Sequence, residues 1–311
     1  MTKVLITPRS FGKGSHAAYD LLDEAGLTIV PNPFGRILTE DEMLQAVKEV
    51  DALIVGVDPV TARVLDEACR LRVISKYGVG LDNIDLDYAE AKGIPVTITQ
   101  GANTEAVADY TFALMLAAAR KVIPIDSGCR RLDWGKTMSL GVYGKTLGIL
   151  GTGAVGKAVI KRARGFGMRI LGYDLLPDYD FANLMEVKYA DADQIFREAD
   201  FISIHLPATE ETRGLIGREQ FRMMKGTAVV INTARGGIID EIALFEALSD
   251  NRIWGAGLDV FNQEPPEGSP LLSLDNLVIG SHCAASTFDA VDNMSLLAAR
   301  NVAEVLKSGL R

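Results

Sequence analysis

Residues 146–174 carry the feature that most constrains the fold of this chain. They read TLGILGTGAVGKAVIKRARGFGMRILGYD. The short apolar run from Leu147 to Leu150 is typical of a buried parallel strand, and a turn with the spacing G-x-G-x-x-G follows it at Gly151, Gly153 and Gly156. A helical pattern and a second apolar run come next. The segment therefore predicts a strand, a glycine turn, a helix and a second strand, which together make an α/β unit with a parallel sheet.

The same turn predicts a nucleotide site. In such units the first glycine lets the chain turn, the second lets the backbone approach a pyrophosphate, and the third lets the helix pack closely on the strand. The helix offers unpaired N–H groups and the positive end of its dipole to the phosphates. Asp174 ends the second strand, where a carboxylate can accept hydrogen bonds from a ribose diol. Since Leu175 and Leu176 follow it and no arginine stands there for a 2′-phosphate, we predict NAD rather than NADP.

The rest of the chain alternates strand and helix patterns, without a low-complexity tract or a repeat. Strands are predicted near residues 3–7, 28–30, 51–57, 72–76 and 95–99 before the glycine turn, and near residues 169–173, 201–205, 228–232, 255–260 and 277–280 after it. This doubly wound pattern predicts two parallel-sheet α/β domains in series, with the glycine turn in the second.

Two helical segments bear on how the domains are organised. Residues 103–120, NTEAVADYTFALMLAAAR, are apolar almost all round, which predicts a helix buried on most sides. Since one domain rarely covers a helix so fully, we expect this helix to lie at an interdomain hinge. We also expect it at the contact between the two chains of a homodimer. The amphipathic segment after His282 should return to the first domain.

Composition excludes several classes of function. The formal net charge of −9 argues against nucleic acid or an anionic membrane as the main partner. The first residues lack the apolar core of a signal peptide, and the longest apolar stretch is too short to span a bilayer. Cys69, Cys129 and Cys283 stand far apart, which favours reduced thiols over a disulfide frame or a metal site. We therefore expect a cytoplasmic enzyme with a small-molecule substrate.

Three ionisable residues stand just after predicted strands of the second domain. They are Arg235 after VVINTA, Glu264 after LDVFNQ and His282 after LVIGS. Each alone has a simpler explanation, as a solvated cap, a surface glutamate or a core histidine. Because the carboxyl ends of parallel strands meet at one edge of a sheet, three such residues after three strands favour a shared catalytic site.

At these positions the chain resembles the D-isomer-specific 2-hydroxyacid dehydrogenases. The matching segments are GTGAVGKAV, HLPATEETRGLI, MKGTAVVINTARGGIIDE, GAGLDVFNQEP and SHCAAST. The resemblance implies an NAD-binding Rossmann domain at residues 100–283, inserted into a flavodoxin-like substrate domain made of residues 1–99 and 284–311. The arginine, glutamate and histidine of the family motifs fall on Arg235, Glu264 and His282.

The reduction of a 2-keto acid suggests what each catalytic residue does. The Arg235 guanidinium would hold the substrate's carboxylate and keto oxygen, and His282 would deliver a proton to that oxygen and remove it in the reverse direction. Glu264 would pair with the second imidazole nitrogen and favour the imidazolium. The resemblance further implies that Asp259 contacts the nicotinamide end of the cofactor. The predicted cofactor contacts are Gly151, Gly153, Ala154, Val155, Gly156, Asp174, Leu206, Pro207, Thr212, Thr233, Ala234, Asp259 and Ala284.

The identity of the substrate is open at this point. Backbone amides of Gly78, Val79 and Gly80 could form a nest for its carboxylate. Phosphoglycerate dehydrogenases of the family usually carry an arginine where the third strand ends, whereas this chain has Gly56. Arg9 and Ser10, in the loop after the first strand, could instead bind a distal phosphate, sulfonate or carboxylate, although a solvated loop explains them equally well.

The sequence thus predicts an NAD-dependent oxidoreductase that interconverts a D-2-hydroxy acid and its 2-keto acid. A phosphoglycerate dehydrogenase-like substrate is the first interpretation. A glyoxylate or hydroxypyruvate reductase is the alternative. A non-enzymatic, corepressor-type NAD-binding protein is a more distant one, since all three catalytic side chains are present.

Overall fold

The computed structural model describes residues 1–309, which divide into two α/β units. The first unit consists of Met1–Asn103 and the C-terminal segment that begins at Ala285, and the second consists of Thr104–Ala284. The second unit is therefore an insertion in the chain of the first. Each unit has its own parallel sheet. The fold class predicted from the sequence is confirmed.

The first unit is a five-stranded sheet with helices on both faces. Its elements are β1 (Thr2–Ile6), α1 (Ala17–Glu24), β2 (Leu27–Pro31), α2 (Glu40–Ala46), β3 (Ala52–Val55), α3 (Ala62–Glu67), β4 (Val73–Lys76), α4 (Leu86–Ala91), β5 (Val96–Ile98) and, at the end of the chain, α12 (Phe288–Ser308).

The strands of the first sheet run in the order β2-β1-β3-β4-β5, and all pairs are parallel. This is the flavodoxin-like order. Every residue of β3 and β4 is buried, as expected when helices cover both faces of a sheet. The strand order reverses between β1 and β3, so the loops after these two strands lie at the topological switch point, where open α/β sheets bind ligands.

The second unit is a seven-stranded sheet, again with helices on both faces. Its elements are α5 (Thr104–Arg120), α6 (Val122–Arg130), β6 (Thr146–Leu150), α7 (Ala154–Gly165), β7 (Arg169–Tyr173), α8 (Tyr179–Met185), β8 (Val187–Tyr189), α9 (Ala192–Glu198), β9 (Phe201–Ile204), α10 (Arg218–Met223), β10 (Val229–Asn232), α11 (Glu241–Ser249), β11 (Gly255–Leu258), a 3₁₀ turn (Pro270–Ser273) and β12 (Leu277–Ile279).

The second sheet has the order β12-β11-β10-β9-β6-β7-β8 and is also parallel throughout. From β8 through β6 to β12 this is the Rossmann order with one additional edge strand. The order reverses between β6 and β9. The glycine turn follows β6 directly, so the sequence motif lies at the switch point of this sheet.

One strand was missed by the sequence analysis. The edge strand β8 has only three residues, Val187–Tyr189, of which only the first is buried. A run of this length is too short to show a period of two, so its sequence could not be told from a loop. It pairs with β7, and Gly172 lies opposite Tyr189.

The two longest helices belong to different units. Within its own unit, α5 packs against α7, β10, β11 and β12 and buries nine of its residues, among them Phe112 and Met115. The interdomain hinge and the contact between two copies that the sequence suggested at this helix stay predictions. The C-terminal helix α12 packs on α1, β3, β4 and β5 of the first unit. Within residues 1–309, no helix combines the length and the apolar character that crossing a membrane requires.

Candidate active site

The glycine turn has the shape that its sequence predicted. Gly151 has a φ of +95°, and a Cβ there would lie 2.7 Å from the carbonyl oxygen of His205 on the neighbouring strand's loop. A Cβ on Gly156 would lie 2.1 Å from the carbonyl oxygen of Gly151, so α7 can approach the turn only without a side chain at this position. Gly153 differs, because a Cβ there would meet nothing within 4 Å. Gly153 therefore faces open space.

The first turn of α7 is suited to hold phosphate groups. Gly153 is the N-cap residue, and no side chain caps the helix. The amides at Ala154, Val155 and Gly156 therefore begin a helix whose positive dipole end faces the open space beside Gly153. These features fit the pyrophosphate of a dinucleotide, which needs both close backbone approach and N–H donors.

Asp174 lies beside this turn and is held by several donors. Its Oδ2 accepts hydrogen bonds from the backbone N–H of Thr152 at 2.6 Å and from the Thr152 hydroxyl at 3.0 Å. Its Oδ1 accepts one from the N–H of Leu176 at 3.0 Å. Burial opposes ionisation of the carboxyl group, but the hydrogen bonds from Leu176 and Thr152 outweigh it and hold the pKa of Asp174 below its ordinary value.

Arg235 is fixed by the turn that follows β10. The Asn232 side chain accepts a hydrogen bond from the N–H of Ala234 at 3.0 Å and donates one to the carbonyl oxygen of Arg235 at 2.7 Å. The Arg235 guanidinium donates to the carbonyl oxygen of Ala234 at 2.7 Å. A Cβ on Gly236 would lie 2.1 Å from the carbonyl oxygen of Phe261, so the ARGG sequence lets this turn pack against the loop after β11.

The structure brings Glu264 and His282 together as predicted from the sequence. Glu264 Oε2 lies 2.8 Å from His282 Nδ1, and Glu264 Oε1 accepts a hydrogen bond from the N–H of Phe261 at 3.1 Å. Burial opposes ionisation of Glu264, but the hydrogen bond and charge of His282, the Phe261 amide and the charge of Arg235 together keep the pKa of Glu264 below its usual range. Arg235, Glu264 and His282 thus form one electrostatic cluster.

A buried aspartate shapes the backbone around His282. His282 has a φ of +55°, a left-handed conformation that is uncommon for a residue other than glycine. Its N–H donates to the carbonyl oxygen of Asp259 at 2.8 Å. The Asp259 carboxylate accepts from the next two amides, Cys283 at 3.0 Å and Ala284 at 2.8 Å. The buried carboxylate therefore fixes the turn that directs His282.

Other predicted cofactor residues are engaged within the second unit. The Thr212 hydroxyl donates to the carbonyl oxygen of Pro207 at 2.7 Å and so closes the loop that contains Leu206. Thr233 and Thr111 share a hydrogen bond of 2.9 Å, and Thr111 itself donates to a carbonyl oxygen of α5, so the Thr233 hydroxyl proton points toward that helix. The N–H of Ala284 is used by Asp259. Cofactor contacts by these residues stay predictions.

In the first unit, two predicted substrate segments lie next to each other. Ser10 Oγ lies 3.3 Å from the hydroxyl of Tyr77, the residue before Gly78. The N–H of Gly78 already donates to Thr99 Oγ1 at 2.8 Å. Across residues 1–309, no hydrogen-bond partner is found for the amides of Val79 and Gly80. These two amides therefore remain as candidate donors to an anion.

The Arg9 side chain is exposed. Within the described chain its guanidinium makes neither a hydrogen bond nor an ion pair. Arg9 stands three residues after the end of β1, at the switch point of the first sheet. A guanidinium with this placement could bind an anionic group there.

The sequence analysis missed three residues that the structure links to the predicted ones. Thr152 and Tyr189 form hydrogen bonds that lead to Asp174. Tyr110, on α5, lies 3.3 Å from Cys283 Sγ, next to His282. Thr152 sits inside the glycine motif and could have been suspected, whereas the other two residues are brought near the site only by tertiary packing.

Comparison with known proteins identifies the second unit by family. Residues 112–284 match the family model for the NAD-binding domain of D-isomer specific 2-hydroxyacid dehydrogenases. A glyoxylate reductase from Korarchaeum cryptofilum is 44% identical over 296 residues, with 90% of this chain and 89% of the relative covered. A D-3-phosphoglycerate dehydrogenase from Methanocaldococcus jannaschii is 41% identical over 314 residues, which cover 100% of this chain but only 58% of the relative.

The likeness extends to solved structures with a bound cofactor. The D-lactate dehydrogenase of Aquifex aeolicus, solved in complex with NAD and lactic acid, superposes with a TM-score of 0.86. Its sequence identity to this chain is 29%, and the superposition covers 99% of this chain and 96% of the other. A protein with a similar fold has thus been solved with NAD bound.

Proposed function

Since the chain belongs to the D-isomer-specific 2-hydroxyacid dehydrogenase family and uses NAD, we propose that it is a glyoxylate or hydroxypyruvate reductase. This choice reverses the preference for a phosphoglycerate-like substrate that the sequence had suggested. The glyoxylate reductase relative supports it through higher identity and nearly complete coverage of both chains.

The observation that carries the proposal is the carboxyl end of β3. Gly56 follows this strand, at the switch point of the first sheet, and the nearest atoms to a Cβ there would belong to Pro8 and Asp58, at 3.6–3.8 Å. Asp58 is 2% exposed, and its carboxylate accepts hydrogen bonds from Thr7 and from the N–H of Leu38. The end of β3 therefore presents a glycine and a buried acid, and the Gly56 carbonyl oxygen accepts a hydrogen bond from the buried Lys76 Nζ at 2.5 Å. With glycine rather than arginine at position 56, this strand end offers no guanidinium to a distal phosphate, which favours a small keto acid.

The residues of the second unit supply the polar chemistry of the reaction. NAD, when bound, carries the hydride. Arg235 would hold the substrate carboxylate and polarise the keto oxygen, on which negative charge grows during reduction. His282 would donate a proton to this oxygen, and Glu264 would stabilise the imidazolium and fix the ring through Nδ1. Nε2 is then the nitrogen that faces the substrate. In oxidation the same groups would act in reverse.

A second candidate substrate class carries a distal anion. The exposed Arg9 guanidinium and the contact of Ser10 with Tyr77, one residue before Gly78, favour it. The phosphoglycerate dehydrogenase relative at 41% identity points the same way. In this case Arg9 and Ser10 would bind the distal group, while Val79 and Gly80 would bind the carboxylate.

Steady-state kinetics with a panel of keto acids separates the two classes. NADH oxidation would be followed with glyoxylate, hydroxypyruvate, pyruvate, 3-phosphohydroxypyruvate and a sulfonated keto acid. We expect the highest kcat/KM with glyoxylate or hydroxypyruvate. A clear preference for the phosphorylated or sulfonated substrate would contradict the proposal and support the second class.

The Arg9→Ala variant tests the second class directly. If Arg9 binds a distal anion, the variant should raise KM for 3-phosphohydroxypyruvate far more than for glyoxylate. Equal effects on both substrates would remove Arg9 from substrate binding. Lys13→Ala, in the same loop, is a matched control for loss of a positive charge.

We also propose that the chain forms a homodimer. The segment after α6 exposes several large apolar side chains within a short stretch, namely Leu132, Trp134, Met138 and Tyr143. Such a cluster is unusual for a surface in contact with water alone. Light scattering coupled to gel filtration would give twice the mass of one chain if the proposal is right. Replacing Trp134 and Met138 with serine should then yield monomers.

A further inference from the structure

A series of hydrogen bonds leads to the carboxylate of Asp174, the predicted ribose-binding group. The hydroxyl of Tyr189 lies 3.1 Å from the backbone nitrogen of Asp178 and 2.9 Å from Thr152 Oγ1. Thr152 Oγ1 lies 3.0 Å from Asp174 Oδ2. The series therefore begins at an amide at the start of α8 and ends on Asp174, beside the glycine turn.

The chemistry of the groups fixes the direction of every proton in this series. An ionised Asp174 can only accept, so the single Thr152 hydroxyl proton must point to it. Thr152 Oγ1 must then accept from Tyr189, whose hydroxyl in turn accepts from the N–H of Asp178. Each hydroxyl therefore donates its one proton in the direction of Asp174. Hydrogen bonds aligned in this way polarise one another, which strengthens the last one onto Asp174.

The lack of a side chain at Gly172 leaves space for this series of hydrogen bonds. Gly172 lies on β7 between the two side chains, and a Cβ there would approach the methyl carbon of Thr152 and the Tyr189 ring to 3.3 Å each. Tyr189 is delivered by the edge strand β8, opposite Gly172. Thr152 is only 3% exposed. The absence of a side chain on β7 thus allows a tyrosine from the sheet edge to reach the glycine turn.

The series leaves the two oxygens of Asp174 unequal. Oδ2 accepts two hydrogen bonds, from the N–H and the hydroxyl of Thr152, and so uses both lone pairs. Oδ1 accepts a hydrogen bond from Leu176 at 3.0 Å, and the Leu175 amide also stabilises the charged carboxylate. Since the two Thr152 donors occupy Oδ2, Oδ1 is the oxygen that a ribose hydroxyl would approach. A ribose 2′-hydroxyl can donate to this oxygen, whereas a 2′-phosphate would meet an ionised carboxylate.

We infer that Thr152 and Tyr189 are positioning residues that orient Asp174 toward the cofactor ribose and thereby set the preference for NADH over NADPH. The lowered pKa of Asp174 agrees with this role, because hydrogen bonds to its charged form include those from Thr152. The inference concerns the cofactor and is independent of which keto acid the enzyme reduces. Neither residue is assigned a contact with the cofactor.

Direct cofactor binding is the measurement that tests the inference. Dissociation constants for NADH and NADPH would be measured by fluorescence titration, in the absence of keto acid, for Thr152→Val, Thr152→Ser, Tyr189→Phe and the double variant Thr152→Val/Tyr189→Phe. Tyr88→Phe is the matched control, because the Tyr88 hydroxyl donates to Asp66 within the first unit. Thermal unfolding of each cofactor-free variant would show whether the fold is intact.

We expect Thr152→Val and Tyr189→Phe to raise the dissociation constant for NADH roughly fivefold to tenfold, with a smaller change for NADPH. Thr152→Ser, which keeps the hydroxyl, should remain within about twofold of the parent. Because both substitutions break one series, the double variant should resemble Thr152→Val alone. Unchanged NADH binding in Thr152→Val, equal losses for both cofactors, or a Thr152→Ser variant as weak as Thr152→Val would overturn the inference.

Discussion

Nδ1 of His282 lies 2.8 Å from Oε2 of Glu264, and this contact leaves Nε2 as the ring nitrogen available for proton transfer. Both side chains are about two-fifths exposed, at 40% and 38%, so water reaches the pair. The second oxygen of Glu264 is held by the Phe261 amide, which prevents the carboxylate from rotating away. The carboxylate thus fixes the orientation of the imidazole.

The first prediction concerns Glu264→Gln. The amide keeps a hydrogen-bond acceptor but removes the negative charge that favours the imidazolium, so the protein should lose its proton donor at a lower pH. We expect the pH above which keto acid reduction declines to shift downward, with kcat/KM for reduction falling at neutral pH. The pH dependence of kcat/KM with NADH and glyoxylate measures this shift. An unchanged profile would exclude Glu264 from this role.

The second prediction concerns Arg235. Arg235→Lys keeps the charge but loses the planar pair of donors, and Arg235→Gln loses the charge as well. We expect kcat/KM to drop by about 10² or more in Arg235→Gln, with a smaller loss in Arg235→Lys. NADH affinity, measured by fluorescence, should hardly change. If NADH affinity fell in parallel with kcat/KM, Arg235 would belong to cofactor binding or to the fold.

The third prediction contrasts two glycines of the same motif. Gly156→Ala would place a Cβ 2.1 Å from the backbone of Gly151, so we expect a loss of unfolding free energy of about 1–3 kcal/mol. The methyl group of Gly153→Ala would lie in open space, and the φ of −68° at this residue suits alanine. This variant should fold normally but bind NADH at least about tenfold more weakly, because the methyl group occupies the space a pyrophosphate needs. Chemical denaturation and NADH titration of both variants provide the test.

The fourth prediction concerns stability at acidic pH. Burial lowers the pKa of His205 from 6.5 to about 3. Between these values the unfolded chain binds a proton at His205 that the folded protein does not, so unfolding becomes easier as pH falls. In this pH range, His205 should lower the free energy of unfolding by up to about 1.4 kcal/mol for each pH unit of acidification.

A His205→Gln variant should lack that part of the slope. Urea denaturation of parent and variant at several values between pH 6.5 and pH 4 would show the stability difference changing with pH. His16→Gln, at an exposed site, is the control and should follow the parent. Parallel curves for the parent and His205→Gln would refute the lowered pKa of His205.

The sequence alone determined the type of fold and the cofactor unit, because both depend on local patterns. Apolar runs such as residues 147–150 and the glycine spacing at Gly151, Gly153 and Gly156 encode strand, turn and helix within a few residues. Arg235, Glu264 and His282 were recognisable because each stands in the loop after a strand, and parallel strands bring their ends to one edge.

Only the tertiary structure decided contacts between residues distant in sequence. Tyr189 reaches Thr152 because Gly172 leaves space on the intervening strand, and nothing in the short segment Val187–Tyr189 signals this. Gly78 has its amide taken by Thr99, a hydrogen bond between neighbouring strand ends that sequence spacing does not specify. Local patterns fix which elements form, whereas packing determines which donors and acceptors remain available for a ligand.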